Sequence, residues 1–137
     1  MSSFELRPIG LVHSPLRERS SAPKQGRDGS PLATLVFDPV FASGLSDIVA
    51  GVEIWVLTWL DRADRSVLRT HPRGDPRNPL TGVFCTRSPD RPNPIGIHRV
   101  RVVSVLDDVR LQVENLEALD MTPILDVKPV LKGESDA

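Results

Sequence analysis

Between residues 82 and 97 the chain reads GVFCTRSPDRPNPIGI, and the residues there that could do chemistry are Arg87, Arg91 and Asn93. Arginine presents a planar, permanently charged fork that suits carboxylates and phosphates. Asparagine can both donate and accept a hydrogen bond. Pro89, Pro92 and Pro94 punctuate these residues. Each proline fixes its own φ and pushes the preceding residue, here Ser88, Arg91 or Asn93, towards extended backbone. Such a loop is stiff, so its side chains are held ready without an ordering cost at every binding event. Three uses fit this composition: an anion-holding loop, a rigid surface loop whose arginines pair with nearby acids, or a Pro-x-x-Pro ligand (Pro89 to Pro92) for another protein.

The elements that must carry this loop read as strands. Short runs of Val, Ile and Leu are broken by Pro, Gly and Asp clusters, which predicts a mainly β domain. Strands are expected within 6–14 and 32–38, with a long loop from 14 to 31 and a short helix over 39–48 closed by Gly51. The nearly continuous VEIWVLTWL (52–60) reads as a central strand buried on both faces, with Trp55 and Trp59 in the core. A hairpin is expected over 97–115, turning at Asp107-Asp108. On its first strand the valines change phase between Val102 and Val103, which predicts a bulge. The terminal KGESDA is expected to fray.

At 137 residues the chain is one domain's worth, so 1–137 is taken as a single unit. Its 39% hydrophobic and 26% charged residues place it among ordinary globular proteins. No apolar run approaches the roughly 20 residues of a spanning helix. The opening MSSFELRPIG has no export signature. A cytoplasmic protein without membrane contact is expected. The single cysteine, Cys85, excludes an internal disulfide and a Cys-rich zinc site. His13, His71 and His98 are scattered without metal-ligand spacing, so no metal is expected. Net charge is −1, yet from Asp61 to Arg101 nine arginines stand against four acids. A local excess of five positive charges suits a phosphate backbone better than the total suggests.

The order of residues narrows these readings. GVFCTRSPDRPNPIGIHRVRVVSV closely resembles the motif of the TrmO family, also described as YaeB-like, TsaA-like or VirR-type proteins. RPIGLVHSP (7–15), APKQG (22–26) and LEALDMTPILDVKPVL (116–131) resemble its other signature stretches, so the likeness runs along essentially the whole chain. The resemblance implies a closed or pseudo β-barrel with short helices and long loops. It implies S-adenosyl-L-methionine as cofactor and methyl transfer to N6 of threonylcarbamoyl-adenosine beside the tRNA anticodon. No Gly-x-Gly-x-x-Gly turn opens a helix, which agrees with a cofactor site of a different build.

By the same resemblance, the cofactor is expected at Pro23, Lys24, Gln25, Leu60, Asp61, Arg87, Ile97, Asp120, Met121, Thr122 and Pro123. An acceptor that aims the target N–H is expected at Asn93 or Asp126, although Asp126 and Lys128 also suit a plain ion pair. Arg65, Arg69, Arg73 and Arg91 are expected to meet the phosphates of the anticodon loop. Family members typically form homodimers, and longer bacterial ones carry a C-terminal domain that is not expected here. Met121, Glu117, Val130 and Asp61 depart from the usual glycine, aspartate, tyrosine and histidine. Those departures bear on the substrate more than on the fold. Other readings of the same pattern are a cofactor-binding regulatory module, a methyltransferase for another RNA or a small molecule, and a cofactor-free RNA-binding barrel.

Overall fold

The structure, a computed structural model, describes residues 2–19 and 30–134. Its strands are β1 (Gly10–His13), β2 (Ala33–Phe37), β3 (Glu53–Trp59), β4 (Arg69–Thr70), β5 (Thr81–Gly82), β6 (Ile95–Asp107), β7 (Arg110–Glu114) and β8 (Pro123–Pro129). Six of them close into an antiparallel barrel in the order β1-β2-β7-β6-β3-β8, with β8 returning to β1. β4 and β5 form a separate two-stranded ribbon. Closure gives every barrel strand a partner on each side over at least part of its length, which is how short strands like these survive in water.

Period-two alternation fills the barrel. Val12, Leu35, Val56, Val102, Val113 and Ile124 point inward and are fully buried, each contributing about 1.5–3 kcal/mol relative to exposure. Leu116 and Ala118, from the segment after β7, plug one side of the same core.

The run over β3 is less symmetric than expected. Ile54, Val56 and Thr58 face the interior, while Trp55 and Trp59 lie outside the barrel core. Trp55 is nonetheless covered: its Nε1–H donates to Glu134 at 3.1 Å, and the Arg99 guanidinium lies 5.9 Å from its ring centroid. Arginine and a returning tail thus replace a second hydrophobic layer. Of the tail expected to fray, residues 135–137 lie outside the described residues, while Glu134 is fastened, its carboxylate also accepting from Leu131 N at 2.8 Å and its carbonyl from Arg99 at 3.0 Å.

The Leu131 amide, then the Trp55 N–H and Arg99, hold the Glu134 carboxyl below the usual carboxylate range. A depressed folded value means the clasp stabilises fully above the ordinary glutamate value of 4.5 and is lost as pH falls through the lowered one. Trp55 fluorescence should therefore report tail release on acidification before global unfolding. Glu134→Gln should abolish that early change.

The expected short helix is a 3₁₀ helix, Pro39–Leu45, capped by Asp38, whose side chain accepts from Val40 N at 3.0 Å. Gly51 closes the connection with φ of +97°. The β6–β7 hairpin carries the expected bulge between Val102 and Ser104 and a second irregularity nearer its tip. Its turn falls one residue later than expected, at 108–109. Asp107 ends β6 and bends the chain by accepting from Val109 N at 3.0 Å.

Unequal strand lengths then create the feature that matters most. β7 ends at Glu114, opposite Arg101, whereas β6 extends back to Ile95. Residues 95–100 therefore pair with β3 alone. The segment 115–122 passes this flank and turns into β8 through Met121, whose φ is +67°. That left-handed position is where glycine is free of strain, which accounts for the glycine usual at this point of the motif.

Candidate functional site

A cleft of about 1050 Å³ runs along the open flank of β6. Its walls are the turn after β3, the loop carrying Arg73, the proline loop 84–93, β6 itself and the segment 115–119. It is large enough for a nucleoside-sized ligand.

The proline loop is fixed by more than its prolines. Arg91 Nη1 donates to the carbonyls of Thr86 and Ser88, both at 3.0 Å. Arg65 donates from Nε to Pro92 O at 2.6 Å and from Nη2 to Asn93 Oδ1 at 2.9 Å, and its guanidinium stacks 5.1 Å from the Trp59 ring centroid. Asp90 accepts from Asp64 N at 2.9 Å and from both arms of Arg19 at 3.2 Å. Leu60 N donates to Pro94 O at 2.8 Å. Asp64 is itself kept ionised by the Ser66 hydroxyl and amide, which lower its pKa. Three segments are thus tied into one rigid rim.

Arg87 stands apart from this lattice. It lines the cleft, is exposed, and among the described residues makes no ion pair or side-chain hydrogen bond. A rigid loop that carries one uncommitted guanidinium is an anion site without an anion partner of its own.

The opposite wall offers backbone. Val102 bonds towards the β3 side, its N–H donating to Val52 O at 2.9 Å and its carbonyl accepting from Gly51 N at 2.7 Å. Backbone direction alternates along an antiparallel strand. Ile97, five residues earlier, therefore turns its N–H and C=O away from β3 and into the cleft. These groups form an open strand edge able to read a planar ligand such as a purine. The exposed side chains of Ile95, Ile97 and Phe84 supply an apolar margin beside it.

Beneath this edge lies a polar chain that was not anticipated. His98, 5% exposed, places Nε2 2.7 Å from Thr58 Oγ1 and Nδ1 2.6 Å from Glu117 Oε1. It links β3, β6 and the segment after β7. Gly96 exists in relation to it: a Cβ there would stand 2.5 Å from Thr58 Oγ1 and 2.8 Å from His98 Nε2. The signal available in the sequence was the i, i+2 spacing of Gly96 and His98, which puts both on one face of a strand.

The cleft brings together Leu60, Asp61, Arg73, Arg87, Arg91, Asn93, Ile97 and Thr122 from the expected set. Asp120, Met121 and Pro123 adjoin Thr122 without lining it. The Asp120 carboxylate accepts from Ser14 N at 3.0 Å, Met121 N donates to Val12 O at 2.7 Å, and Pro123 begins β8. This turn is knitted to β1. Asp126 lies on β8 opposite Leu57, away from the cleft lining, and pairs with Lys128 at 3.4 Å, the ion pair considered beside its catalytic reading. Pro23, Lys24 and Gln25 lie outside the described residues. Arg65 and Arg69 lie off the lining, Arg69 bonding Leu80 O at 3.1 Å.

The arginines divide by partner. Arg77, Arg99 and Arg101 meet the carboxylates of Asp75, Glu53 and Glu114, which cancel their charge. Arg62, Arg65, Arg69 and Arg91 donate to carbonyl or amide oxygens, which leave the charge intact. With Arg87, these cations, uncancelled by any carboxylate among the described residues, gather around the cleft. The mouth is more basic than a protein of net charge −1 implies.

Comparison with known proteins bears on the family and the fold. Residues 11–136 match the family model described as the tRNA-methyltransferase O N-terminal domain. A probable S-adenosyl-L-methionine-binding protein of Archaeoglobus fulgidus is 43% identical over 129 residues, covering 94% of this chain and 34% of that protein. The tRNA (adenine(37)-N6)-methyltransferase of Escherichia coli K12 is 35% identical over 142 residues, covering 96% and 59%. The crystal structure of TrmO from Pseudomonas aeruginosa superposes with a TM-score of 0.74 at 28% identity, covering 99% of this chain and 61% of that one. The chain thus spans between one third and about three fifths of these proteins. Matched over all six barrel strands but the first residue of β1, the chain belongs to the family of the tRNA-methyltransferase O N-terminal domain.

Proposed function

We propose that this protein is an S-adenosylmethionine-dependent tRNA methyltransferase that modifies N6 of threonylcarbamoyl-adenosine beside the anticodon. The observation that carries the reading is one cleft that joins the uncommitted Arg87 to the open backbone edge at Ile97. The residues present fit the cofactor. Arg87 suits its carboxylate, the Ile97 edge suits its adenine, and Leu60 and Ile95 offer apolar surface to the rest. Pro23, Lys24 and Gln25 remain assigned to it by motif. When bound, the cofactor supplies a methyl group on a sulfonium centre.

The chain's own task is then chiefly one of positioning. A sulfonium leaving group needs no protonation, and correct alignment of the reacting atoms accounts for much of such a rate. Asn93 shares its side-chain carbonyl with Arg65, so its amide N–H groups remain to aim an acceptor. Uncancelled arginines around the mouth hold phosphates without reading sequence. Arg91 stands on the lining with Arg65 and Arg69 behind it. Arg73 lines the same cleft and is assigned to the same RNA surface. A homodimer in the cytoplasm fits the family habit.

Incubation with S-adenosylmethionine and tRNA carrying threonylcarbamoyl-adenosine, followed by nucleoside mass spectrometry, tests this reading. It predicts a gain of one methyl group on that nucleoside alone. Cofactor binding with no methylated nucleoside would favour a regulatory module instead.

A further inference from the structure

Methyl transfer to an amide-like nitrogen leaves a proton to be removed, and the reading above names no group that takes it. We infer that Glu117 is that proton acceptor and that His98 positions it; the inference rests on the proposed methyltransferase activity. Among the described residues, the acids lining the cleft are Glu53, Asp61, Asp90 and Glu117. Glu53 is held by Arg99 at 3.0 and 3.1 Å, and Asp90 by Arg19 at 3.2 Å, so cations already occupy both carboxylates. Asp61 sits exposed on a turn, with no side-chain partner among the described residues to orient it. Asn93 is an amide, and Arg65 already draws on its oxygen. Glu117 alone among them combines orientation with an open lone pair. Its Oε1 is fixed by the buried His98 Nδ1 at 2.6 Å, and Oε2 has no partner among the described residues. Its side chain remains 20% exposed towards the cleft.

The backing is built in depth. Thr58 fixes the far nitrogen of His98, and Gly96 leaves the space in which the two meet. A carboxylate so supported cannot swing away, which is what an acceptor of a positioned proton requires. In the transfer, the nitrogen lone pair forms the new N–C bond, the C–S electron pair stays on sulfur, and the N–H proton passes to Glu117 Oε2. The sulfonium charge and the carboxylate charge disappear together, so the step balances.

The test uses calorimetric titration with two ligands, alongside turnover on the modified tRNA. S-adenosylhomocysteine lacks the methyl group. Sinefungin carries an amine in its place, so its affinity reports a carboxylate at the reacting centre. Glu117→Gln should weaken sinefungin at least 10-fold, change S-adenosylhomocysteine less than 3-fold, and lower kcat at least 100-fold with little change in KM. His98→Gln, which keeps a donor for Glu117, should retain most of the preference for sinefungin, and His98→Leu should lose it. Equal weakening of both ligands would make Glu117 a cofactor ligand and overturn the inference, as would no change in either. If the wild type binds both ligands but leaves the tRNA unmethylated, the substrate reading fails and the sinefungin comparison still decides on Glu117. If it binds neither, the cofactor reading fails and the inference with it.

Discussion

Arg87→Ala is expected to weaken binding of S-adenosylmethionine by about 10–100-fold while leaving the fold intact. A charge-assisted hydrogen bond contributes about 1.5–3 kcal/mol, and each 1.4 kcal/mol is about tenfold in affinity. The guanidinium has no partner within the described protein, so its removal orphans nothing and should change stability by less than about 0.5 kcal/mol. Arg91→Ala provides the contrast. It frees the carbonyls of Thr86 and Ser88 and should loosen the loop itself. Calorimetry with a denaturant melt of each variant separates the two arginines. An Arg87 variant of unchanged affinity would show that the cofactor carboxylate is held elsewhere.

Gly96→Ala should be the most damaging small substitution in the site. The added methyl would meet Thr58 Oγ1 at 2.5 Å and His98 Nε2 at 2.8 Å, both under van der Waals contact. Overpacking of this kind costs about 1–3 kcal/mol, and a buried polar group pushed off its partner costs about 1–3 kcal/mol more. Because His98 is displaced, Glu117 loses its support and turnover should fall with stability. Thr58→Ala removes the nearest obstacle. The double variant should therefore lose less than the sum of the two singles, a coupling that a denaturant-based cycle measures. Strict additivity would mean that the strand yields elsewhere and that Gly96 is not there for the sake of His98.

Much of the barrel was legible because burial on one side of a strand leaves a period-two trace. Val102 and Val103 betrayed the bulge in this way, and Leu111 and Val113 the strand that follows. Trp55 is buried as expected, but outside the barrel core. A tryptophan in a hydrophobic run reads as core, yet its outer face is covered by Arg99 and by Glu134 from a tail 79 residues away, contacts that no local pattern carries. The turn at 108–109 was displaced by one residue because Asp107 caps it by accepting a hydrogen bond instead of occupying it.

The site divides along the same line. Arg87, Arg91 and Asn93 were conspicuous because prolines mark a stiff loop, but their different tasks depend on which carbonyls lie nearby. Arg65 read as a phosphate contact and serves first as the brace of that loop, through Pro92 and Asn93 27 and 28 residues away. Asp126 read as a possible acceptor because its strand position was known and its direction was not. The Thr58–His98–Glu117 chain joins residues 40 and 19 apart and was invisible until the strands were paired. Even the open edge at Ile97 depends on β7 ending before β6 does, a difference in length that composition does not reveal.

The central claim is that the cleft between Arg87 and the Ile97 edge holds S-adenosylmethionine for methyl transfer. A crystal structure of the protein with S-adenosylhomocysteine tests it most directly. The account predicts the ligand carboxylate on Arg87, its adenine edge on the N–H and C=O of Ile97, and its sulfur facing Glu117. A ligand seated elsewhere, or none at concentrations that saturate the tRNA methyltransferases of the family, would contradict it.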